Sequence, residues 1–142
     1  MSYPQAGGFL PTEDSEQEAL FEWAAMMSRV QPCLRLLHHI PNGGKRDIGT
    51  ARALRRRGVK PGVPDLCLPH PAGRFHGLYI ELKKAHGGRT SDYQDEWIKA
   101  LEGEGYFVAV CHGWRNAAAK IEEYLKLESS GVAEKGENDE NT

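Results

Sequence analysis

Two short apolar runs on either side of a turn constrain this chain more than any other feature. Residues 65–68, Asp-Leu-Cys-Leu, follow a Pro/Gly-punctuated approach, Lys60-Pro61-Gly62-Val63-Pro64. Residues 78–83, Leu-Tyr-Ile-Glu-Leu-Lys, form a second apolar run, and the segment 69–75 between them carries the prolines and glycine of a long turn. The pair predicts a β-hairpin. Because side chains alternate along a strand, Tyr79, Glu81 and Lys83 fall on one face and Leu78, Ile80 and Leu82 on the other.

The remaining elements arrange themselves around this hairpin. Residues 15–29 repeat Leu20, Phe21, Ala24 and Met27 at helical spacing, with acids in the first turn where the helix dipole favours them. Residues 34–40 read as a strand closed by the turn Pro41-Asn42-Gly43-Gly44. A second helix is expected over 47–57, with Ile48, Ala51 and Leu54 on one face and Gly58 as its stop. A third helix follows at 92–104, an apolar strand at 106–111 and a final helix at 115–127. The order is αβ(α)ββαβα, without internal repeats.

At 142 residues the chain fits one domain. We expect an N-terminal arm over 1–12, a folded body over 13–128 and an acidic, disordered tail over 129–142. No apolar run approaches the roughly 20 residues of a membrane span. The first twenty residues also lack the basic flank and apolar stretch of a secretory signal.

Charge has to be located before it can be used. The chain carries 18 Lys plus Arg against 20 Asp plus Glu, a net charge of -2 that taken whole argues against a polyanionic partner. In the tail, Glu134, Glu137, Asp139 and Glu140 against Lys135 give -3, which leaves +1 on the rest. Within that rest, Lys45, Arg46, Arg52, Arg55, Arg56, Arg57 and Lys60 against Asp47 give +6. Residues 13–22 are the opposite, with Glu13, Asp14, Glu16, Glu18 and Glu22 and no base. Cys33, Cys67 and Cys111 are scattered and form no CxxC pair, and the six histidines show no ligand spacing, so reduced thiols are expected and a zinc site is not.

The chemistry lies in Pro64-Asp65 followed by Glu81-Leu82-Lys83. Carboxylates on adjacent strands of a hairpin can converge on one hard divalent cation such as Mg²⁺, which binds through one or two carboxylates, water and phosphate oxygens. Lys83 projects from the face that carries Glu81, where its charge can position an attacking water and offset charge developing on phosphorus. The Leu82 side chain points to the core, but its backbone carbonyl could add an oxygen to the metal. An isolated ExK would be an ordinary surface ion pair. Here it interrupts an apolar strand, downstream of a basic segment.

These residues resemble a known family. Gly58-Val59-Lys60-Pro61-Gly62-Val63-Pro64-Asp65-Leu66, then Tyr79-Ile80-Glu81-Leu82-Lys83, then Ser91-Asp92-Tyr93-Gln94 with Trp97 and Leu101, are similar to the VRR-NUC domain (virus-type replication-repair nuclease) of the PD-(D/E)xK nuclease superfamily. The resemblance implies an α/β (α+β) fold, a restriction-endonuclease-like αβββαβ core with a mixed sheet flanked by helices. It also implies phosphodiester hydrolysis dependent on Mg²⁺ or Mn²⁺, with Asp65 and Glu81 as metal ligands and Lys83 as the catalytic lysine. Gln94 matches the family's glutamine after the ExK strand, yet Ser91-x-x-Gln94 is also a capping box, and both roles stay open. The first helix often supplies another ligand in such nucleases. Glu13, Glu16 and Gln17 compete, and the shared helix face of Glu13 and Gln17 favours that pair.

Asn42, Lys45 and Arg46 in the turn, and Arg52, Arg55, Arg56, Arg57 and Lys60 beyond it, are candidate contacts to a DNA backbone; such contacts give affinity and salt dependence without base specificity. His38 and His39 read as ordinary strand-end histidines. Stand-alone family members resemble junction-resolving enzymes. The resemblance therefore implies a homodimer acting on branched DNA such as a four-way (Holliday) junction, in the cytoplasm of a bacterial or phage-infected cell. The rival reading is a non-catalytic DNA-binding module with a vestigial metal site.

Overall fold

The hairpin forms as expected. In the computed structural model, which describes residues 10–41 and 47–139, strand β2 (Leu66–Leu68) pairs antiparallel with β3 (Leu78–Lys83), Leu66 opposite Ile80 and Leu68 opposite Leu78. Strand β1 (His38–His39) adds antiparallel to the outer edge of β2. Strand β4 (Phe107–His112) adds parallel to β3, with Glu81 opposite Val110. The sheet order is β1-β2-β3-β4. A parallel pair needs a crossover, and helix α3 (Asp92–Gly103) supplies it between β3 and β4.

The sheet has two unlike faces. Leu66, Leu68, Leu78, Ile80, Leu82, Ala109 and Cys111 are buried on one of them. Helix α1 (Glu13–Met27) covers this face with Leu20 and Ala24, and helix α4 (Trp114–Asp139) with Ala117, Ala118, Ile121, Tyr124 and Leu125. The Tyr124 hydroxyl donates to the His70 carbonyl at 2.7 Å and ties α4 to the hairpin turn. The opposite face carries Tyr79, Glu81 and Lys83 and meets α3. The architecture is a mixed four-stranded sheet flanked by helices, the α+β fold expected.

Three expectations need adjustment. Residues 34–40 are not one strand: Pro32 opens a 3₁₀ helix over Pro32–Leu36, and pairing is confined to His38 and His39. Proline is pre-set for a first helical turn, and apolar content alone does not distinguish that turn from a strand. The final helix does not end at Leu127 but continues as backbone to Asp139. The second helix, α2 (Ile48–Arg56), forms with Asp47 as its N-cap and Gly58, at φ 102°, in the left-handed region just beyond its end. Nevertheless α2 packs against none of the other described elements, and Ile48 on its apolar face is 71% exposed.

No helix among the described residues is long and apolar enough to cross a membrane. Cys67 and Cys111 are buried, Cys33 is half-buried and none of the three is in a disulfide. Burial pushes the Cys111 thiol up to about 11, so it stays protonated at neutral pH.

Candidate active site

Asp65 stands where the Pro/Gly approach turns into β2. Its backbone is held from the strand edge: its carbonyl accepts from Ile40 N–H at 2.6 Å and lies 2.9 Å from His39 Nδ1. A carbonyl only accepts, so Nδ1 carries the proton of that contact. The side chain is held from the other direction, with Leu82 N–H donating to Asp65 Oδ2 at 2.8 Å. The carboxylate is thus anchored on the backbone of the neighbouring strand, next to Glu81.

Glu81 and Lys83 are strongly buried for charged groups, at 3% and 8% exposure. Their partners come from each other and from α3. Lys83 Nζ lies 3.5 Å from Glu81 Oε1. Gln94 Nε2 donates to the same Glu81 Oε1 at 2.8 Å, and Gln94 Oε1 accepts from Lys83 Nζ at 3.2 Å. Gln94 Oε1 also accepts from Ser91 N–H at 2.9 Å, while the Ser91 hydroxyl accepts from Gln94 N–H at 3.3 Å, closing the capping box. The two roles left open for Gln94 therefore coexist in one side chain.

The electrostatics follow from burial and like charge. Desolvation, and secondarily the Asp65 carboxylate beside it, push Glu81 up to about 8, with Lys83 acting in the opposite direction. Glu81 Oε2 is buried and has no hydrogen-bond partner among the described residues. A buried carboxylate oxygen left without a donor, next to a second carboxylate, suits a cation. Among the described residues no three His, Cys, Asp or Glu side chains converge. Two carboxylates match a hard ion that keeps much of its water, and not a closed zinc cage. Leu82, whose N–H contacts Asp65, also carries the backbone carbonyl that is the candidate for a further oxygen.

The first helix behaves differently from expectation. Glu13 is exposed and Gln17 half-buried, and no described contact joins either of them to Asp65 or Glu81. Glu16 is the inward residue, 6% exposed, and its Oε2 accepts from Trp114 N–H. Its carboxylate caps α4 at the dipole-favoured end. Nothing local in the sequence signals this, since the two residues are 98 positions apart. His39, read as an ordinary strand-end histidine, lies on the short strand that pairs with β2 and reaches the Asp65 carbonyl through its ring.

Of the candidate DNA contacts, Arg52, Arg55 and Arg56 lie exposed on α2, and Arg57 and Lys60 lie exposed just beyond it. Asn42, Lys45 and Arg46 fall outside the described residues.

The VRR-NUC domain pattern matches residues 12–115 of the chain. A solved structure described as a VRR_NUC domain protein is similar to it at 34% identity, with a TM-score of 0.71, covering 84% of this chain and 91% of that one. No curated protein matches the chain.

Proposed function

The chain belongs to the VRR-NUC domain family, which brings nuclease-type action on DNA, and from that premise we propose a divalent-metal-dependent endodeoxyribonuclease selective for branched DNA. The observation that carries the metal reading is the buried Glu81 Oε2, without a hydrogen-bond partner and adjacent to Asp65. Asp65, Glu81 and the Leu82 carbonyl would hold Mg²⁺ or Mn²⁺. When bound, the cation would supply Lewis acidity toward water and phosphate oxygens.

The protein's own groups do the positioning. The Leu82 N–H fixes the direction of the Asp65 carboxylate. Gln94 fixes both Glu81 and Lys83, so neither long side chain has to be ordered when substrate arrives. Lys83, 8% exposed, is placed to orient the attacking water and offset negative charge building on the phosphate. Arg52, Arg55, Arg56 and Lys60 give backbone contacts that hold DNA without reading bases. A second copy of the chain would present two such sites to the two strands of a symmetric junction.

A panel of duplex, flap, fork, single-stranded and four-way-junction DNA, each incubated with Mg²⁺, tests the substrate. Preferential cutting of branched forms supports the proposal. Equal cutting of unbranched duplex removes the branched-substrate part, and DNA binding without any cutting would favour the vestigial-site reading.

A further inference from the structure

We propose that Tyr93 is a base-stacking residue that holds an unpaired nucleobase beside the site. This inference rests on the nuclease reading above. Tyr93 lies in the first turn of α3, immediately before Gln94, the side chain that bridges Glu81 and Lys83. Its side chain is 61% exposed. The other large exposed apolar side chains among the described residues, Leu10, Met26, Val30, Leu36 and Ile48, are aliphatic, and none neighbours a candidate site residue of the Asp65–Glu81–Lys83–Gln94 group in sequence.

The chain is also shaped to leave this residue where it is. Gly62, at φ +91°, lies so close to Tyr93 that an added Cβ would come 2.5 Å from the Tyr93 carbonyl carbon and oxygen and 2.8 Å from its Cβ. Only glycine permits that approach. The segment that leads from α2 to Asp65 is therefore seated against the root of the Tyr93 side chain. The same segment carries Arg57 and Lys60, both exposed. An exposed aromatic side chain packed at its root against a segment that carries exposed cations offers the chemistry that recognises a nucleotide: stacking for the base, charge for the phosphates. Inside a duplex both faces of a base are already stacked. A free face is offered by an unpaired or extruded base, which is what branch points and single-stranded arms provide.

The test uses the full chain with Lys83→Ala to prevent cutting, and DNA carrying 2-aminopurine either at an unpaired position of a branched substrate or within a plain duplex. Binding is expected to quench the unpaired 2-aminopurine. Tyr93→Ala should abolish the quench and weaken binding to the branched DNA by about tenfold, the scale of losing one stacked base. Tyr93→Phe should keep both, and duplex affinity should be unchanged in both variants. In the cutting-competent chain, Tyr93→Ala should raise KM and leave kcat near its starting value. An undiminished quench in Tyr93→Ala, a Tyr93→Phe chain as impaired as Tyr93→Ala, or an equal loss on plain duplex would each overturn the proposal. Failure of the nuclease reading looks different: the quench behaves as described, but the unsubstituted chain cuts nothing with Mg²⁺.

Discussion

Gln94 donates a side-chain N–H to Glu81 Oε1 at 2.8 Å while completing the cap of its own helix. One residue thus serves helix and site, and the two roles can be separated. Gln94→Glu keeps an acceptor for Ser91 N–H, because Glu is the other residue used in a capping box, but loses the donor to Glu81. Below about pH 8, where Glu81 holds its proton and can donate to the new carboxylate, melting temperature should hold while single-turnover cleavage falls by about 10–100-fold through lost positioning. Gln94→Ala should lose both cleavage and about 1 kcal/mol of stability. Chemical denaturation alongside cleavage rates separates the two variants.

The raised Glu81 pKa sets a pH dependence with a definite sign. The group ionises near its ordinary value of 4.5 in the unfolded chain and near about 8 in the fold. The folded state holds the proton more tightly, so the favourable contribution is complete below about pH 4.5 and is lost as pH rises through about 8. Without divalent cations, the melting temperature should therefore decline across that window. Added Mg²⁺ competes with the proton, so its stabilising effect should grow with pH over the same range. Glu81→Gln should flatten both trends. Melting curves at several pH values, with and without Mg²⁺, read this directly.

Burial gives Glu16 a structural role and leaves Glu13 without one. Glu16→Ala removes the acceptor for Trp114 N–H and should cost about 1–2 kcal/mol. Glu13→Ala, on an exposed position, should stay within about 0.5 kcal/mol. Urea denaturation of the two variants distinguishes them.

The contrast shows which features were legible in the sequence. The hairpin, the shared face of Glu81 and Lys83 and the capping box at Ser91–Gln94 all follow from spacings of two or three residues, where local geometry dictates who faces whom. Glu16 was not legible, because its partner is 98 positions away and its neighbours are acids that stay in solvent. The strand expected at 34–40 shrank to two residues because Pro32 starts a 3₁₀ turn in an apolar stretch that suits either structure. Periodicity finds helix α2 but does not say whether its apolar stripe is covered; Ala51 and Leu54 are half-buried, whereas Ile48 stays 71% exposed.

The exposed arginines of α2 predict a salt effect. If Arg52, Arg55 and Arg56 touch phosphates, each substitution to Ala should reduce the slope of log affinity against log salt by about 0.9 on duplex arms. The loss should be similar for every sequence tested, because phosphate contacts carry no base information. Fluorescence anisotropy across a salt series measures both.

In the proposed mechanism Asp65 and Glu81 bind a divalent cation and Lys83 works beside it on a phosphodiester bond. The most direct test is the single-turnover cleavage rate on the best-cut substrate of the panel, measured with Mg²⁺, with EDTA, and for Lys83→Ala in Mg²⁺. Cutting is expected with Mg²⁺, none with EDTA, and a fall of at least about 100-fold for Lys83→Ala. Cutting that persists in EDTA, or a Lys83→Ala chain as fast as the unsubstituted one, would contradict this mechanism.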